Sequence, residues 1–143
     1  EPLPRNVSTL LSEAAARHGE KPLLVFFDDR ATYSYREIER DATRLAHGMT
    51  KLGVAHGSHV GIMVYTQQHY PITWLANARL GAVTVPINYN YTPRELLYML
   101  EDSEADFLVI HKELLPILEG MERQPTPHLD HASSADGLLH RGL

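Results

Sequence analysis

A chain of 143 residues, 43% hydrophobic and 22% charged, has the size and composition of one globular domain and not of a disordered or fibrous segment. Its net charge of −5 offers no general attraction for nucleic acid or an anionic membrane, which need clustered Lys and Arg. The absence of cysteine excludes disulfides, thiolate metal sites and a cysteine nucleophile, and it fits a cytoplasmic address.

From the N-terminus, no positively flanked apolar leader opens the chain, and a first residue of Glu1 instead of methionine predicts a piece of a longer polypeptide. Asn6 can cap a helix running to about His18, with Gly19 as its left-handed stop. Leu23 to Phe27 and Ala31 to Tyr33 read as two short strands joined by a turn at Asp28-Asp29-Arg30. Neither these nor any other apolar runs approach the ~20 residues that cross a bilayer. Ser34-Tyr35-Arg36-Glu37 has capping-box spacing, and behind it Ile38, Ala42, Leu45, Met49 and Leu52 recur at helical steps. Gly53 ends that helix. His59 to Tyr65 has the composition of a buried strand. Pro71 suits the first turn of a further helix carrying Trp74, Leu75, Ala78 and Leu80, which stops at Gly81. Val83 to Val85 is a short strand ended by Pro86. Thr92-Pro93-Arg94-Glu95 is a second capping box, and its helix is expected to bury Leu96, Leu97, Met99 and Leu100. Asp106 to Ile110 returns as a strand, followed by a helix from Lys112 to about Met121. Residues 59–110 therefore alternate strand, helix, strand, helix, strand, which predicts a parallel βαβαβ unit. From Gln124-Pro125-Thr126-Pro127 onward the chain reads as an irregular tail, frayed from Ala132 to Leu143.

The chemistry expected of such a unit is not evident in its motifs. No Gly-Lys pair occurs, so the P-loop pattern is absent. Gly53, Gly57 and Gly61 miss the dinucleotide-binding spacing and are better explained by turn geometry. No serine sits in a nucleophile elbow. His56 and His59 lack a third ligand in register and read as solvated loop residues, not a zinc pair. Asp102, Glu104 and Asp106 read as a solvated turn, since a magnesium site wants ligands converging from several elements. The segment Pro86-Ile87-Asn88-Tyr89-Asn90-Tyr91-Thr92 is the exception. It lies beyond the carboxyl end of a central strand, where ligands bind open α/β sheets. Its amides and aromatics either meet a ligand or simply pack and cap the next helix.

Thr32-Tyr33-Ser34-Tyr35-Arg36-Glu37 resembles the "T-Y-x-E-L" opening of the AMP-forming acyl-CoA synthetases, the adenylate-forming ligase superfamily. Leu45-Ala46, Leu52-Gly53-Val54 and Gly57-Ser58-His59-Val60 continue the match as the family's "L-G-V-x-x-G-D-x-V". It is densest from Leu80-Gly81-Ala82-Val83-Thr84-Val85-Pro86-Ile87-Asn88 through Tyr91-Thr92, Glu95-Leu96, Tyr98, Leu100 and Asp102-Ser103. The ordered matches span roughly residues 7–118.

The resemblance implies an α/β fold: a three-layer-type parallel βαβαβ unit, preceded by a helix and a short hairpin, that opens the ligase N-terminal domain. Residues 1–123 would form that subdomain and 124–143 the tail. It implies an intact parent that uses ATP, Mg2+ and coenzyme A to turn a carboxylic acid, fatty or other, into an acyl-adenylate and then a thioester of CoA or of carrier-protein pantetheine. No catalytic residue and no metal ligand would lie in these 143 residues, because the family's phosphate loop, adenine-binding segment, ribose-binding aspartate and mobile C-terminal domain come later. The chain alone is expected to be inactive, to bind no cofactor tightly, and to self-associate or pack on the missing remainder. A stand-alone degenerate domain that only binds or scaffolds is the alternative reading of the same residues. By the match, Asn88, Asn90 and Tyr91 would border the acyl or pantetheine channel. Two departures stand out: Tyr65-Thr66-Gln67-Gln68 replaces a common Pro-Asn, and Asn90 stands where many members carry a basic residue near the coenzyme A phosphates.

Overall fold

A computed structural model describes residues 5–27, 30–122 and 140–141. In chain order the elements are α1 (Val7–His18), β1 (Pro22–Phe26), β2 (Ala31–Ser34), α2 (Tyr35–Lys51), β3 (His59–Met63), α3 (His69–Leu80), β4 (Val83–Pro86), α4 (Pro93–Asp102), β5 (Phe107–Ile110), a 3-10 turn (Lys112–Leu114), α5 (Pro116–Glu122) and β6 (His140–Arg141). The helix starts follow their caps. Asn6 Oδ1 accepts the Thr9 amide at 2.8 Å ahead of α1. Ser34 and Thr92 each complete a capping box with Glu37 and Glu95. Pro93 fills the first position of α4, where no amide is needed. Gly19 and Gly81 end α1 and α3 at positive φ, a region that a Cβ disfavours.

β1 and β2 pair as an antiparallel hairpin. The main sheet has the order β4-β3-β5-β6, with β3 parallel to both β4 and β5. β6 adds an antiparallel edge, pairing His140 and Arg141 with Leu108 and Phe107. The expected irregular tail otherwise lies outside the described residues. So do Asp28 and Asp29 of the expected turn; Arg30 there has φ 51°.

Each central strand is buried on both faces, and strand alternation divides the core in two. Val60, Ile62 and Val64, with Phe107 and Val109, pack under Ala46 and Met49 of α2 and Ala76 of α3. Met63, Leu108 and Ile110 pack on the opposite face against Leu96, Leu97 and Leu100 of α4 and Met121 of α5. The result is helix, sheet, helix: three layers. A third cluster, Leu11, Ile38 and Ala42, joins α1 to α2 beside the hairpin.

Several sequence expectations shift in detail. Met99 is half-buried and not in the α4 core. The helix expected from Lys112 is split by the 3-10 turn. Gly53 and Gly57 are indeed turn glycines, with φ of 99° and 83°, but Gly61 is not. It lies within β3, where a Cβ would stand 2.8 Å from Ile87 Cδ1 and 3.0 Å from Leu108 Cδ1. Close packing under α4, not a turn, demands glycine there.

One polar tie links all three helices of the first layer. The Arg79 guanidinium (α3) donates to Glu39 Oε2 (α2) at 2.6 Å, to Thr43 Oγ1 at 2.7 Å and to Ser12 Oγ (α1) at 3.2 Å. Ser12 Oγ in turn donates to Glu39 Oε1 at 2.9 Å. The Arg79 and Glu39 side chains are only 20% and 23% exposed, so removing one leaves the other's charge poorly solvated. Glu39→Ala should lower the unfolding free energy by about 2–3 kcal/mol, with part recovered in Glu39→Met/Arg79→Met. Urea unfolding checks this, and a loss for Glu39→Ala below about 0.5 kcal/mol would place the pair among inconsequential surface bridges.

The capping boxes predict a pH dependence. Glu37 and Glu95 are held below their ordinary value of 4.5, first by the Ser34 and Thr92 backbone amides and then by the same residues' hydroxyls. A depressed folded-state value contributes stability that is present above the unfolded value and lost as pH falls through the folded one. The denaturation midpoint should therefore fall less steeply below pH 4.5 in Glu37→Gln/Glu95→Gln than in the parent chain. Parallel slopes would show that the boxes do not titrate with folding.

Candidate functional site

Because β3, β4 and β5 run parallel, their carboxyl ends open on one edge, and the residues just past each strand meet there. Tyr65 follows β3, Tyr89 lies in the loop after β4, and His111 follows β5; His69 opens α3. Their rings form a contiguous set. Tyr65 stands edge-on to Tyr89 with centroids 5.2 Å apart and tilted against His111 at 4.7 Å. His111 lies 6.4 Å from His69.

The loop after β4 is built by its own amides. Ile87 is buried, and its N–H donates to Ile62 O at 3.0 Å, extending the β3 pairing. Asn88 Oδ1 accepts the Asn90 backbone N–H at 2.9 Å, a turn that asparagine favours. The Tyr91 N–H reaches Asn88 O at 3.2 Å, and Thr92 then starts α4. Among the three residues singled out from sequence, Asn88 and Asn90 are exposed on the rim. Tyr91 is half-buried against the cluster of Met63, Ile87 and Leu96. Tyr89, between them in sequence, is exposed and turns its ring to Tyr65.

The imidazoles are not equivalent. His111 Nδ1 accepts the Glu113 amide at 3.3 Å and so caps the 3-10 turn. A neutral ring with Nδ1 so occupied carries its proton on Nε2. His69 Nε2 lies 3.4 Å from Gln68 Nε2. The His69 imidazole is pushed below its ordinary value, chiefly by burial and then by His111. The rim therefore presents polar donors, acceptors and aromatic faces with little fixed charge.

His56 and His59 do not come together as ligands. His59 is not a solvated loop residue as expected; it opens β3, and its Nδ1 lies 2.6 Å from Ser103 O, tying the sheet to the end of α4. His56 sits over Gly81, where an added Cβ would meet its ring. Asp102, Glu104 and Asp106 are exposed around a turn, with Glu104 at φ 50°. Among the described residues, no three of His, Cys, Asp and Glu converge on a point that could hold a metal ion. Nor is any helix among them long and apolar enough to cross a membrane. A separate apolar groove of about 410 Å³ lies between α1, the hairpin and α3, lined by Leu10, Leu11, Leu24 and Trp74 among others.

Tyr65 stands out in the sequence only as a departure from the family pattern, and His69 and His111 are not singled out there at all. The signal available was positional: the first polar or aromatic residues after each predicted parallel strand must share one edge.

Comparison with known proteins agrees with this architecture. The family model described as AMP-binding enzyme matches residues 11–141. Acyl-CoA ligase sidI of Aspergillus fumigatus is 33% identical over 101 residues, covering 71% of this chain and 17% of that protein. Tyrocidine synthase 2 of Brevibacillus parabrevis is 32% identical over 111 residues, 78% of this chain and 3% of that protein. The N-terminal domain of FACL13 from Mycobacterium tuberculosis superposes with a TM-score of 0.80 at 24% identity, over 85% of this chain and 31% of that one, a likeness of fold. The chain thus spans less than a third of each of these three proteins. With three parallel strands between helical layers and a family match across nearly its whole length, the chain belongs to the AMP-binding enzyme family.

Proposed function

We propose that this chain is the opening portion of an ATP-dependent carboxylic acid–CoA ligase. The observation that supports it best is the family match over residues 11–141, together with relatives named as acyl-CoA ligases. In this reading the parent's substrate carboxylate attacks the α-phosphate of ATP and releases pyrophosphate. The thiol of coenzyme A or of a carrier-protein pantetheine then attacks the acyl carbonyl and releases AMP. A relative named as a fatty acid–acyl-carrier-protein ligase keeps both thiol acceptors in view.

Adenylation needs charge that neutralises the phosphates and holds the nucleophile in line. The rim built here carries none of it. Its residues are suited to a different role, in which the exposed amides of Asn88 and Asn90 can hydrogen-bond an amide-bearing arm while Tyr91 braces the loop from beneath. In this reading Asn88 positions the turn and Asn90 faces the acyl or pantetheine channel. Magnesium and the phosphate-binding groups belong to the remainder of the parent. The groove beside Trp74, which is 42% exposed, is where this piece would pack on that remainder or on a second copy.

Three measurements test the reading. In the intact parent, Asn90→Ala should raise KM for the thiol acceptor about tenfold or less while adenylate formation persists, because only the Asn90 backbone amide serves the turn. An unchanged KM removes the loop from the channel. The 143-residue chain alone should not exchange pyrophosphate; carboxylate-dependent exchange by the pure chain would contradict the assignment of catalysis to later segments. Light scattering of the chain should show concentration-dependent association, weakened in Trp74→Ser. A monomer at all concentrations would show that the groove needs no cover.

A further inference from the structure

We propose that the solvent face of α2 is a docking strip for an acidic helix of a partner protein, formed by Arg36, Arg40, Arg44 and Lys51 with His47 among them. The strip goes beyond the ligase reading and does not rest on it, since this face points away from the core and lies apart from the strand ends.

The spacing is that of a single helix face. Arg36, Arg40, Arg44, His47 and Lys51 follow one another at steps of four, four, three and four. At about 100° and about 1.5 Å per residue they occupy a band roughly 80° wide and about 22 Å long. All five are exposed, while Ile38, Ala42, Ala46 and Met49 on the opposite side of the helix are buried. Four of the chain's 13 Lys and Arg thus share one narrow face, although the whole chain carries a net charge of −5. The fold leaves these cations loosely used. Arg36 meets Glu20 at 2.6 Å and Arg40 meets Asp41 at 2.8 Å, both at the surface, where such pairs contribute little. Arg44 and Lys51 enter no ion pair among the described residues.

Gly48 is an independent sign of contact. It lies inside α2 between Arg44 and Lys51, is exposed, and a Cβ added there would meet nothing within 4 Å. Nor does it have a positive φ. Glycine in a helix interior costs stability relative to alanine, and nothing within the described chain calls for it here. Bare backbone at this point lets a second helix come close, since interaxial distance follows the side chains at the contact.

The borders of the band decide the class of partner. Glu37 and Asp41 line one side, about 100° and 140° from Arg36, and Glu39 lines the other at about 60°. A broad anionic plane, such as a lipid surface, would meet these carboxylates as well as the cations. No apolar side chain lies in the band to enter a bilayer. A helix bearing Glu or Asp at three- and four-residue steps presents one row of carboxylates of matching width and spacing.

The test uses the 143-residue chain and a fluorescent alanine–glutamine helix peptide carrying five glutamates at steps of four, four, three and four. A second peptide of the same composition distributes its glutamates around the helix. Binding followed by anisotropy should saturate, weaken as salt is added, and favour the ordered peptide at least about threefold. Arg44→Glu/Lys51→Glu should weaken it about tenfold, with the circular dichroism unchanged. Arg44→Gln/Lys51→Gln repeats the comparison should the reversal unfold the chain. Gly48→Gln keeps every charge and should still weaken binding about threefold through lost approach, which a diffuse attraction would not produce. Equal affinity for the two peptides, or wild-type binding by the charge variants or by Gly48→Gln, would overturn the proposal. So would a preference for vesicles of phosphatidylglycerol and phosphatidylcholine, or for a DNA oligonucleotide, over the ordered peptide.

Discussion

A parallel strand buried on both faces constrains everything around it. Its successor cannot turn back beside it; the chain must leave the sheet, cover a face, and return at the same end. In this molecule β3 is that strand, paired on both sides and packed above and below. Its residues divide the core: Val60 and Ile62 belong to α2 and α3, while Gly61 and Met63 belong to α4 and α5. The same constraint delivers the carboxyl ends of β3, β4 and β5 to a single edge. The rim of Tyr65, Tyr89 and His111 is thus a consequence of burial, before any question of ligand arises.

The first helical layer solves a different problem. Apolar contact alone lets helices slide, since dispersion and burial are weakly directional. Arg79, Glu39, Thr43 and Ser12 add direction by joining three helices through hydrogen bonds of defined geometry. The arrangement carries a cost, for Arg79 Nε is buried without a partner among the described groups. Asn77 behaves similarly: fully buried, it donates Nδ2 to Thr84 Oγ1 at 2.9 Å and ties α3 to β4, while its Oδ1 finds no partner among them. Both residues sit on α3, the helix that carries His69 at its start. Fixing α3 against α2 and β4 also fixes where His69 meets His111.

Local rules made much of this legible. The capping boxes at Ser34 and Thr92, the stripe through Ile38, Ala42 and Met49, and the apolar runs of β3 and β5 depend only on neighbours in sequence, and each forms where expected. Features set by distant partners were not legible. Gly61 looked like a turn glycine because the reason for it, Ile87 and Leu108 pressing from other elements, lies 26 and 47 positions away. His59 looked solvated because its partner is the carbonyl of Ser103. The sequence marks α3 by the apolar residues it carries, Trp74 and Leu75 among them, yet its buried face runs through Thr73, Ala76 and Asn77. A helix with little apolar asymmetry gives no period from which to choose a face. The candidate site divides the same way: the loop from Asn88 to Tyr91 came from strand position and family resemblance, whereas the histidine pair spans 42 residues and becomes visible only once the sheet is assembled.

That division bears on what kind of site this edge can be. Residues that serve the fold have their polar atoms consumed locally: Asn88 Oδ1 by the Asn90 amide, Thr92 by Glu95, His111 Nδ1 by the Glu113 amide. The Asn90 side chain and the Tyr89 ring remain exposed on the rim. Their positions are inherited from atoms already committed to the backbone, so these groups are oriented before any ligand arrives. Preorganisation of this kind reduces the ordering cost of binding, and it needs no phosphate loop, metal cluster or strained residue. The edge therefore owes its arrangement to the same strand ends and helix starts that build the fold.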